Sequence, residues 1–159
     1  MTIVYETKNF IIEAVEKPHV TREDGGHLKI LPKKEFADRT ELSPELAVEF
    51  IRLTLIVGRA MKTGMTNRGI EISRINYQDM GNWAFKKNEK PYFHMHIYGR
   101  SKDAKYQPYT EAVRLPDRAS GFYDNFKPLN TKDIEEIQKQ IKLILQEDKY
   151  KDPNWKLQT

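Results

Sequence analysis

Cysteine is absent from this chain of 159 residues, and its absence excludes several kinds of chemistry. Without thiols the protein forms no disulfide, uses no thiolate nucleophile and binds no metal through sulfur. A chain without cysteine also suits a reducing compartment, and we expect a cytoplasmic protein.

Long apolar runs are missing as well. The longest, residues 53–57, contains a threonine and is far shorter than the roughly 20 apolar residues that cross a bilayer. The first residues lack the basic and apolar regions of a secretory signal. We therefore expect no membrane partner.

The sequence contains no recognisable glycine-rich phosphate loop, DNA-reading helix or alternation of basic and aromatic residues. We therefore expect no nucleic acid partner. The formal net charge of +4 at pH 7 favours an anionic partner such as a nucleotide or a phosphate ester. Lys and Glu are mixed along the chain, so most of these charges are expected to lie on solvated surface.

Hydrophobic patterning predicts an α+β fold, with an antiparallel sheet of about five strands, one long helix and a C-terminal helix. Strand-like segments come first, a helical segment follows, and further strands precede the last helix, which is not an alternating α/β order. The predicted strands cover residues 9–15, 27–32, 70–77, 82–85 and 92–98, with a hairpin turn at 86–90.

The long helix has clear signals at both ends. Ser43 suits the N-cap and Pro44 the first helical position, and the helix is predicted to run to about Lys62, with Gly64 as a stop signal. The helix carries two apolar stripes, so it is buried on more than one side. Either a homodimer interface or the C-terminal segment covers the second stripe, which consists of Val48, Ile51 and Leu55.

We expect a single domain over residues 1–147. Within it, residues 101–130 form a long irregular loop rich in aromatic residues, and residues 131–147 form a helix capped by Thr131. Residues 148–159 are predicted to be a polar, frayed tail. Trp155, within this tail, is the residue that could dock on the domain.

Two of the four histidines lie two residues apart in the last strand. Alternation along a strand places Tyr92, His94 and His96 on one face, while the apolar residues between them face the core. Arg100 continues the polar face and could hold a phosphate through its guanidinium. Four interpretations remain open: idle surface histidines, a metal site lacking a third ligand, nucleophilic attack on phosphorus by an imidazole, and binding without chemistry.

The segment PYFHMHIYGR resembles the signature strand of the histidine triad (HIT) superfamily, whose pattern is His-φ-His-φ-His-φ-φ, often preceded by Pro and closed by Arg. Upstream, GGHLKILPKKEF resembles the same family's Gly-His-φ-φ-φ-φ-Pro-Lys strand. The segment SRINYQDMGNW falls where the family has a nucleotide-contacting hairpin rich in Asn, Gln and Gly. The resemblance covers roughly residues 5–100 and not residues 101–159.

The resemblance implies a HIT-like fold, a homodimer and activity on a nucleotide α-phosphate. Alignment on Pro91 and Arg100 puts Tyr92 at the first triad position, His94 at the middle, nucleophilic position and His96 at the third. His94 would then form a nucleotidyl-histidine that water hydrolyses, with no metal or other cofactor. The implied substrate is a dinucleoside polyphosphate or a nucleoside phosphoramidate.

Tyr92 departs from the family pattern, because a phenol is a poor proton carrier at neutral pH. The alternative implied by this departure is a nucleotide-binding module without catalysis. His19, in a polar loop, is expected to be ordinary surface. The substrate contacts that the resemblance implies are His27, Asn76, Gln78, Asn82 and Arg100.

Overall fold

The computed structural model describes residues 2–156 and contains a five-stranded antiparallel sheet. The α+β class and the number of strands agree with the sequence prediction, although the set of strands differs. The strands are β1 (Thr2–Glu6), β2 (Phe10–Ala14), β3 (His27–Pro32), β4 (Ile72–Asp79) and β5 (Met95–Ser101). β1 was not predicted, since the sequence pattern begins its first strand at residue 9.

The strand order is β1-β2-β3-β5-β4, so β5 lies between β3 and β4. In this register His96 of β5 pairs with Lys29 of β3 on one side and with Gln78 of β4 on the other. Residues that pair directly across antiparallel strands project to the same face of the sheet. The sheet therefore brings these three side chains to one face.

The long helix α1 (Pro44–Asn67) begins as predicted, with the Ser43 side chain accepting a hydrogen bond from the Leu46 backbone N–H. It continues beyond the predicted end at Lys62, because Gly64 is a packing position rather than a stop. A Cβ at Gly64 would lie 3.0 Å from a side-chain carbon of Ile137. The absence of a side chain there lets α1 approach the last helix closely.

The segment predicted as a strand at residues 82–85 is a short helix, α2 (Asn82–Lys86). The predicted hairpin turn at 86–90 is consequently wrong. Lys86 ends α2, residues 87–88 form a turn, and an irregular segment leads into β5. Five residues are too few to separate the period of a strand from that of a helix. Placed between β4 and β5, α2 lies beside the histidine strand.

The last helix, α3 (Thr131–Leu145), starts from a reciprocal cap in which Asn130, rather than Thr131, is the N-cap. The prediction of a frayed tail is wrong for residues 148–156. It forms two 3-10 turns in which Tyr150 is buried and its ring lies parallel to that of Trp155. Residues 157–159 of the predicted tail lie outside the described residues.

The core lies between one face of the sheet and the helices α1 and α3. Phe93, Met95 and Ile97 belong to it, as the alternation along the histidine strand predicted. Within the described residues, no helix has both the length and the apolar character needed to cross a bilayer.

Candidate active site

All four histidines of the chain converge on the opposite face of the sheet. His96 lies on β5 and His94 immediately precedes that strand, while His27 opens β3. His19 comes from the loop between β2 and β3, where a surface position was expected. That expectation is wrong, because His19 is only 7% exposed and its ring lies 5.3 Å from that of His96.

The histidines form a continuous chain of hydrogen bonds. The backbone N–H of His19 donates to Nδ1 of His27 over 3.1 Å, and Nε2 of His27 lies 2.8 Å from Nδ1 of His96. Nε2 of His96 lies 3.0 Å from Nε2 of His94. The chain ends where Nδ1 of His94 meets the carbonyl oxygen of Tyr92 at 2.6 Å.

The two ends of this chain determine where each proton lies, provided that every ring is neutral. A backbone N–H only donates, so His27 carries its proton on Nε2 and donates to His96. His96 then carries its proton on Nε2 and donates to His94. A carbonyl only accepts, so His94 is protonated on Nδ1, and its Nε2 keeps the lone pair.

Burial keeps these rings neutral at neutral pH. It lowers the pKa of His96 to about 2 and that of His19 to about 4, with neighbouring positive charges adding to the effect. The pKa of His27 falls well below its usual value for the same reason. Burial also lowers the pKa of His94, against the opposing hydrogen bond to the Tyr92 carbonyl. A neutral His94 is the form that can act as a nucleophile.

Tyr92 lines the cavity but lies three residues before β5, although the strand was predicted to begin at this residue. The phenol donates a hydrogen bond to the carbonyl oxygen of Pro32, at the end of β3. Burial raises its pKa above the usual value, with Glu35 and Glu13 adding to the shift. The ring of Tyr92 therefore lines the cavity, while its hydroxyl is used in a hydrogen bond to the backbone.

A cavity of about 350 Å³ opens above His94 and His96. Its lining is mainly apolar, with Trp83 of α2 on one side and Leu115 of the 101–130 segment on another. Pockets for small ligands commonly combine an apolar lining with a few polar groups. The remaining lining residues are His19, Lys29, Leu31, Met80, Gly81, Asn82, Ala84, Lys87, Glu89, Lys90 and Tyr92.

The predicted substrate contacts differ in how close they lie to the cavity. Asn82 lines the cavity at the start of α2, while His27 lies behind His96 and reaches the cavity only through it. Gln78 pairs with His96 across the sheet, and its Oε1 is buried without a hydrogen-bond partner among the described residues. Asn76, Gln78 and Arg100 are absent from the cavity lining.

The guanidinium of Arg100, predicted to bind a phosphate, is instead hydrogen-bonded to groups of the protein itself. Its side chain is fully buried, and its guanidinium donates to the Asn76 side chain and to the carbonyl oxygens of Gln107, Pro108 and Glu111. These bonds join β4 and β5 to the loop that follows them. The structure thus places the predicted phosphate ligand under this loop and outside the cavity.

Ser101 ends β5, and residues 102–130 are irregular apart from one 3-10 turn but are held beside the site by hydrogen bonds. The buried carboxylate of Asp24 accepts hydrogen bonds from the backbone N–H groups of Lys105, Tyr106 and Gln107, each 2.8 Å long. The fully buried Gln107 side chain donates to the carbonyl oxygen of His19. The segment therefore positions the loop that carries His19.

His19, His27 and His96 also form a group that could hold a metal ion. One ring nitrogen from each lies within 4.8 Å of the others, and neutral imidazoles are common metal ligands. The hydrogen bond between His27 and His96 already uses two of the available nitrogens. Metal binding at this group would therefore break the hydrogen-bond chain that leads to His94.

Sequence reasoning did not identify Lys29, Trp83, Leu115 or His19 as parts of the site. Lys29 could have been found, since it lies two residues after His27 and therefore shares its face of β3. His19 and Leu115 come from irregular segments, where no periodicity indicates which way a side chain points.

No protein-family model matches the sequence, and no curated protein resembles it at a significant level. Solved structures do resemble it. A hypothetical histidine triad nucleotide-binding protein from Sulfolobus tokodaii strain 7 is 18% identical, covers 97% of this chain and 91% of its own, and gives a TM-score of 0.59. A Zn-bound histidine triad family protein from Mycobacterium smegmatis is 19% identical over 89% of this chain and 84% of its own, with a TM-score of 0.56.

A uridylyltransferase is 16% identical and covers 91% of this chain, which corresponds to 42% of that longer protein, with a TM-score of 0.56. Identities this low establish the fold and leave the activity to be argued from the site. The chain has the fold of the histidine triad proteins.

Proposed function

We propose that this protein is a nucleotide hydrolase or nucleotidyl transferase in which His94 attacks the α-phosphorus of a nucleotide. The observation that carries the proposal is the state of His94, whose Nδ1 proton is held by the Tyr92 carbonyl while Nε2 carries the lone pair at the cavity. The names of the similar structures, a nucleotide-binding protein and a uridylyltransferase, support the same class of substrate.

The reaction follows from the hydrogen-bond chain. In the free protein the Nε2 proton of His96 occupies the lone pair of His94 at 3.0 Å. A bound phosphate oxygen is a stronger acceptor for this proton, because it carries negative charge. Transfer of the hydrogen bond to the phosphate frees Nε2 of His94 to attack, and His96 becomes a donor to the oxygens that gain charge in the transition state.

His94 then carries the nucleotidyl group through a P–N bond, and the leaving group departs. Attack by water on phosphorus breaks this bond and returns the electron pair to Nε2 of His94, releasing the mononucleotide and a proton. Throughout both steps Nδ1 of His94 keeps its proton and donates it in a hydrogen bond to the Tyr92 carbonyl, which stabilises the imidazolium character of the intermediate. No proton has to come from Tyr92.

We assign nucleotide contacts to Asn82 and Gln78 as part of this proposal. Asn82 lies in the cavity lining at the start of α2, beside Trp83, whose indole offers a surface for stacking a base. Gln78 does not itself line the cavity, but it pairs with the cavity residue His96 across the sheet, and its buried Oε1 has no partner in the described structure. Because Oε1 only accepts, a hydroxyl or amino group of a bound nucleotide would be the donor that it lacks.

The test is trapping of the intermediate. Purified protein is incubated with diadenosine triphosphate and quenched in base, which preserves phosphoramidates, and the peptides are analysed by mass spectrometry. We expect an adenylyl group on His94 and release of adenosine monophosphate. The variant His94→Ala should lose at least about 10³-fold in kcat/KM.

A non-catalytic nucleotide-binding module is the second candidate, favoured by the commitment of the Tyr92 hydroxyl to Pro32. This alternative predicts that nucleotides raise the melting temperature of the wild type and of His94→Ala alike. It also predicts no labelled His94 and no turnover in either protein. These two results together would reject the proposed catalytic activity and support a nucleotide-binding site.

We also propose that the protein forms a homodimer through α1. Ile51 and Leu55, from the second apolar stripe, remain 49% and 39% exposed even though the C-terminal turns contact this helix. Tyr77, on the edge strand β4, is 44% exposed and its hydroxyl lies against Gly58 of the same helix. Together these residues make an apolar surface that a second copy could cover.

A further inference from the structure

Lys29 lies on the floor of the cavity and is held there by a buried partner. It pairs with His96 across β3 and β5, and its Nζ lies 2.8 Å from Oε1 of Glu13 on β2. The side chains of Lys29 and Glu13 are 22% and 10% exposed. Unlike a mobile surface lysine, this ammonium is therefore fixed next to the histidines.

The site needs a positive charge that the histidines do not supply. His94 and His96 are neutral at neutral pH, because burial lowers the pKa of each. Arg100, the expected phosphate ligand, is fully buried under the loop carbonyls. Phosphoryl transfer depends largely on compensating the negative charge of the phosphates.

Three lysines are found among the residues that line the cavity in the described part of the chain. Lys87 and Lys90 follow α2 and are exposed at the rim. Lys29 alone is partly buried and held by a carboxylate directly beside His96. An ammonium held in this way retains more of its electrostatic effect than one that is free in solvent.

We propose that Lys29 is a catalytic residue that binds the departing phosphate of a phosphoanhydride substrate, and this inference rests on the proposed function. Lys29 lies one strand away from His96, a separation of roughly 5 Å between strands. A phosphate chain whose α-phosphorus is at His94 extends across such a distance. The ammonium therefore meets the phosphate that leaves.

The step balances without a proton donor. Nε2 of His94 forms a bond to the α-phosphorus, the bridging P–O bond breaks, and its electron pair passes to the oxygen of the leaving phosphate. The leaving group departs as an anion, and the ammonium of Lys29 compensates its charge. Glu13 orients the ammonium through the contact between Lys29 Nζ and Glu13 Oε1.

The same arrangement disfavours phosphoramidates. An amine leaving group must gain a proton as its P–N bond breaks, which calls for a general acid. The Tyr92 hydroxyl is bonded to Pro32, and the pKa of this phenol is raised by burial. Lys29 therefore makes this site selective for leaving groups that depart as phosphates.

The experiment compares two substrates, diadenosine triphosphate and adenosine 5′-phosphoramidate, with the wild type, Lys29→Met and Lys29→Arg. We expect wild-type kcat/KM to be higher for the anhydride. Lys29→Met should lose about 10²- to 10³-fold on the anhydride and less than about 10-fold on the phosphoramidate. Lys29→Arg, which keeps the charge, should recover part of the loss.

The double variant Lys29→Met/Glu13→Gln removes both charges, so it tests the role of Lys29 without leaving an unpaired buried carboxylate. It should show the same loss on the anhydride with a melting temperature close to that of the wild type. An active wild type with equal losses on both substrates, or with no loss in Lys29→Met, would overturn the role of Lys29 alone. A wild type that never labels His94 would instead overturn the proposed function.

Discussion

Nε2 of His27 lies 2.8 Å from Nδ1 of His96, and this contact links the backbone amide of His19 to His94, the proposed nucleophile. Because the His19 amide donates to the other nitrogen of His27, the His27 proton can lie only on the side of His96. His96 is thereby set to donate towards His94. A residue that never touches the cavity thus determines the tautomer of one that does.

The first prediction concerns His27 as a positioning residue. Replacement by alanine leaves Nδ1 of His96 without its donor, so the His96 proton can move to the wrong nitrogen. We expect His27→Ala to lower kcat by about 10- to 100-fold with a smaller change in KM, by analogy with partners that orient catalytic imidazoles.

His27→Gln supplies the control, because its amide N–H can replace the lost donor and should restore part of kcat. The nitrogen chemical shifts of His96 in an NMR spectrum report the tautomer directly. If His27→Ala keeps the His96 tautomer and loses activity only through a lower melting temperature, the role is structural.

The second prediction is a pH dependence of stability. The pKa of His19 is about 4 in the folded protein against about 6.5 when unfolded, and that of His96 is about 2. Between pH 6.5 and 4 the unfolded chain binds protons at these sites that the folded chain does not. The contribution of these histidines to the free energy of unfolding should therefore be complete above pH 6.5 and decrease as the pH is lowered.

Each such imidazole contributes a slope of about 1.4 kcal/mol per pH unit across its window. Denaturant unfolding of the wild type and of His19→Gln at pH 7.5, 6, 5 and 4.5 measures this slope. The variant lacks one of the titrating groups, so its slope should be shallower. Identical slopes for the two proteins would mean that His19 does not remain neutral in the folded state.

The third prediction concerns Tyr92, the residue that departs from the family pattern. Its hydroxyl bonds to the Pro32 carbonyl, so Tyr92→Phe should cost about 1 kcal/mol in stability and change kcat on diadenosine triphosphate by less than about 3-fold. Urea unfolding and steady-state kinetics measure the two effects. A loss in kcat of more than about 30-fold at unchanged stability would give the phenol a part in the reaction.

Much of the site's framework was predictable because it rests on the period of two strands. The alternation around His94 and His96 assigns one face to the core, and the core contains Phe93, Met95 and Ile97 as expected. A strand over residues 27–32 was also predicted, and β3 has these bounds. The Ser43 cap likewise indicated the start of α1.

The missing parts depend on contacts between residues distant in sequence. His19 joins the site because Gln107, 88 residues later, bonds to its carbonyl oxygen, and no local pattern encodes that pairing. Arg100 was assigned to phosphate because a guanidinium suits it, while the loop that uses its donors has no regular structure. α2 was mistaken for a strand because Trp83 and Phe85 alternate over only five residues.

The fourth prediction addresses the loop that packs beside the cavity. The Asp24 carboxylate accepts three backbone N–H groups, so Asp24→Ala leaves buried donors unsatisfied. We expect a loss of about 2–4 kcal/mol and faster proteolysis within residues 101–116. Asp103→Ala, an exposed position in the same segment, is the matched control and should behave as the wild type. Equal cleavage of the two variants would show that Asp24 does not hold the loop.

The fifth prediction tests the proposed dimer. Leu55 and Ile51 lie on consecutive turns of α1 and stay exposed, so a charge at Leu55 would be buried in an α1-mediated interface and would oppose association. We expect the wild type to have the mass of a dimer in size-exclusion chromatography with light scattering, and Leu55→Glu that of a monomer. Leu143→Glu is the matched control, because Leu143 is 54% exposed but belongs to α3 rather than α1, and this variant should remain dimeric. A monomeric wild type would contradict the proposed dimer. Dissociation by Leu143→Glu but not by Leu55→Glu would show that the interface does not lie on α1.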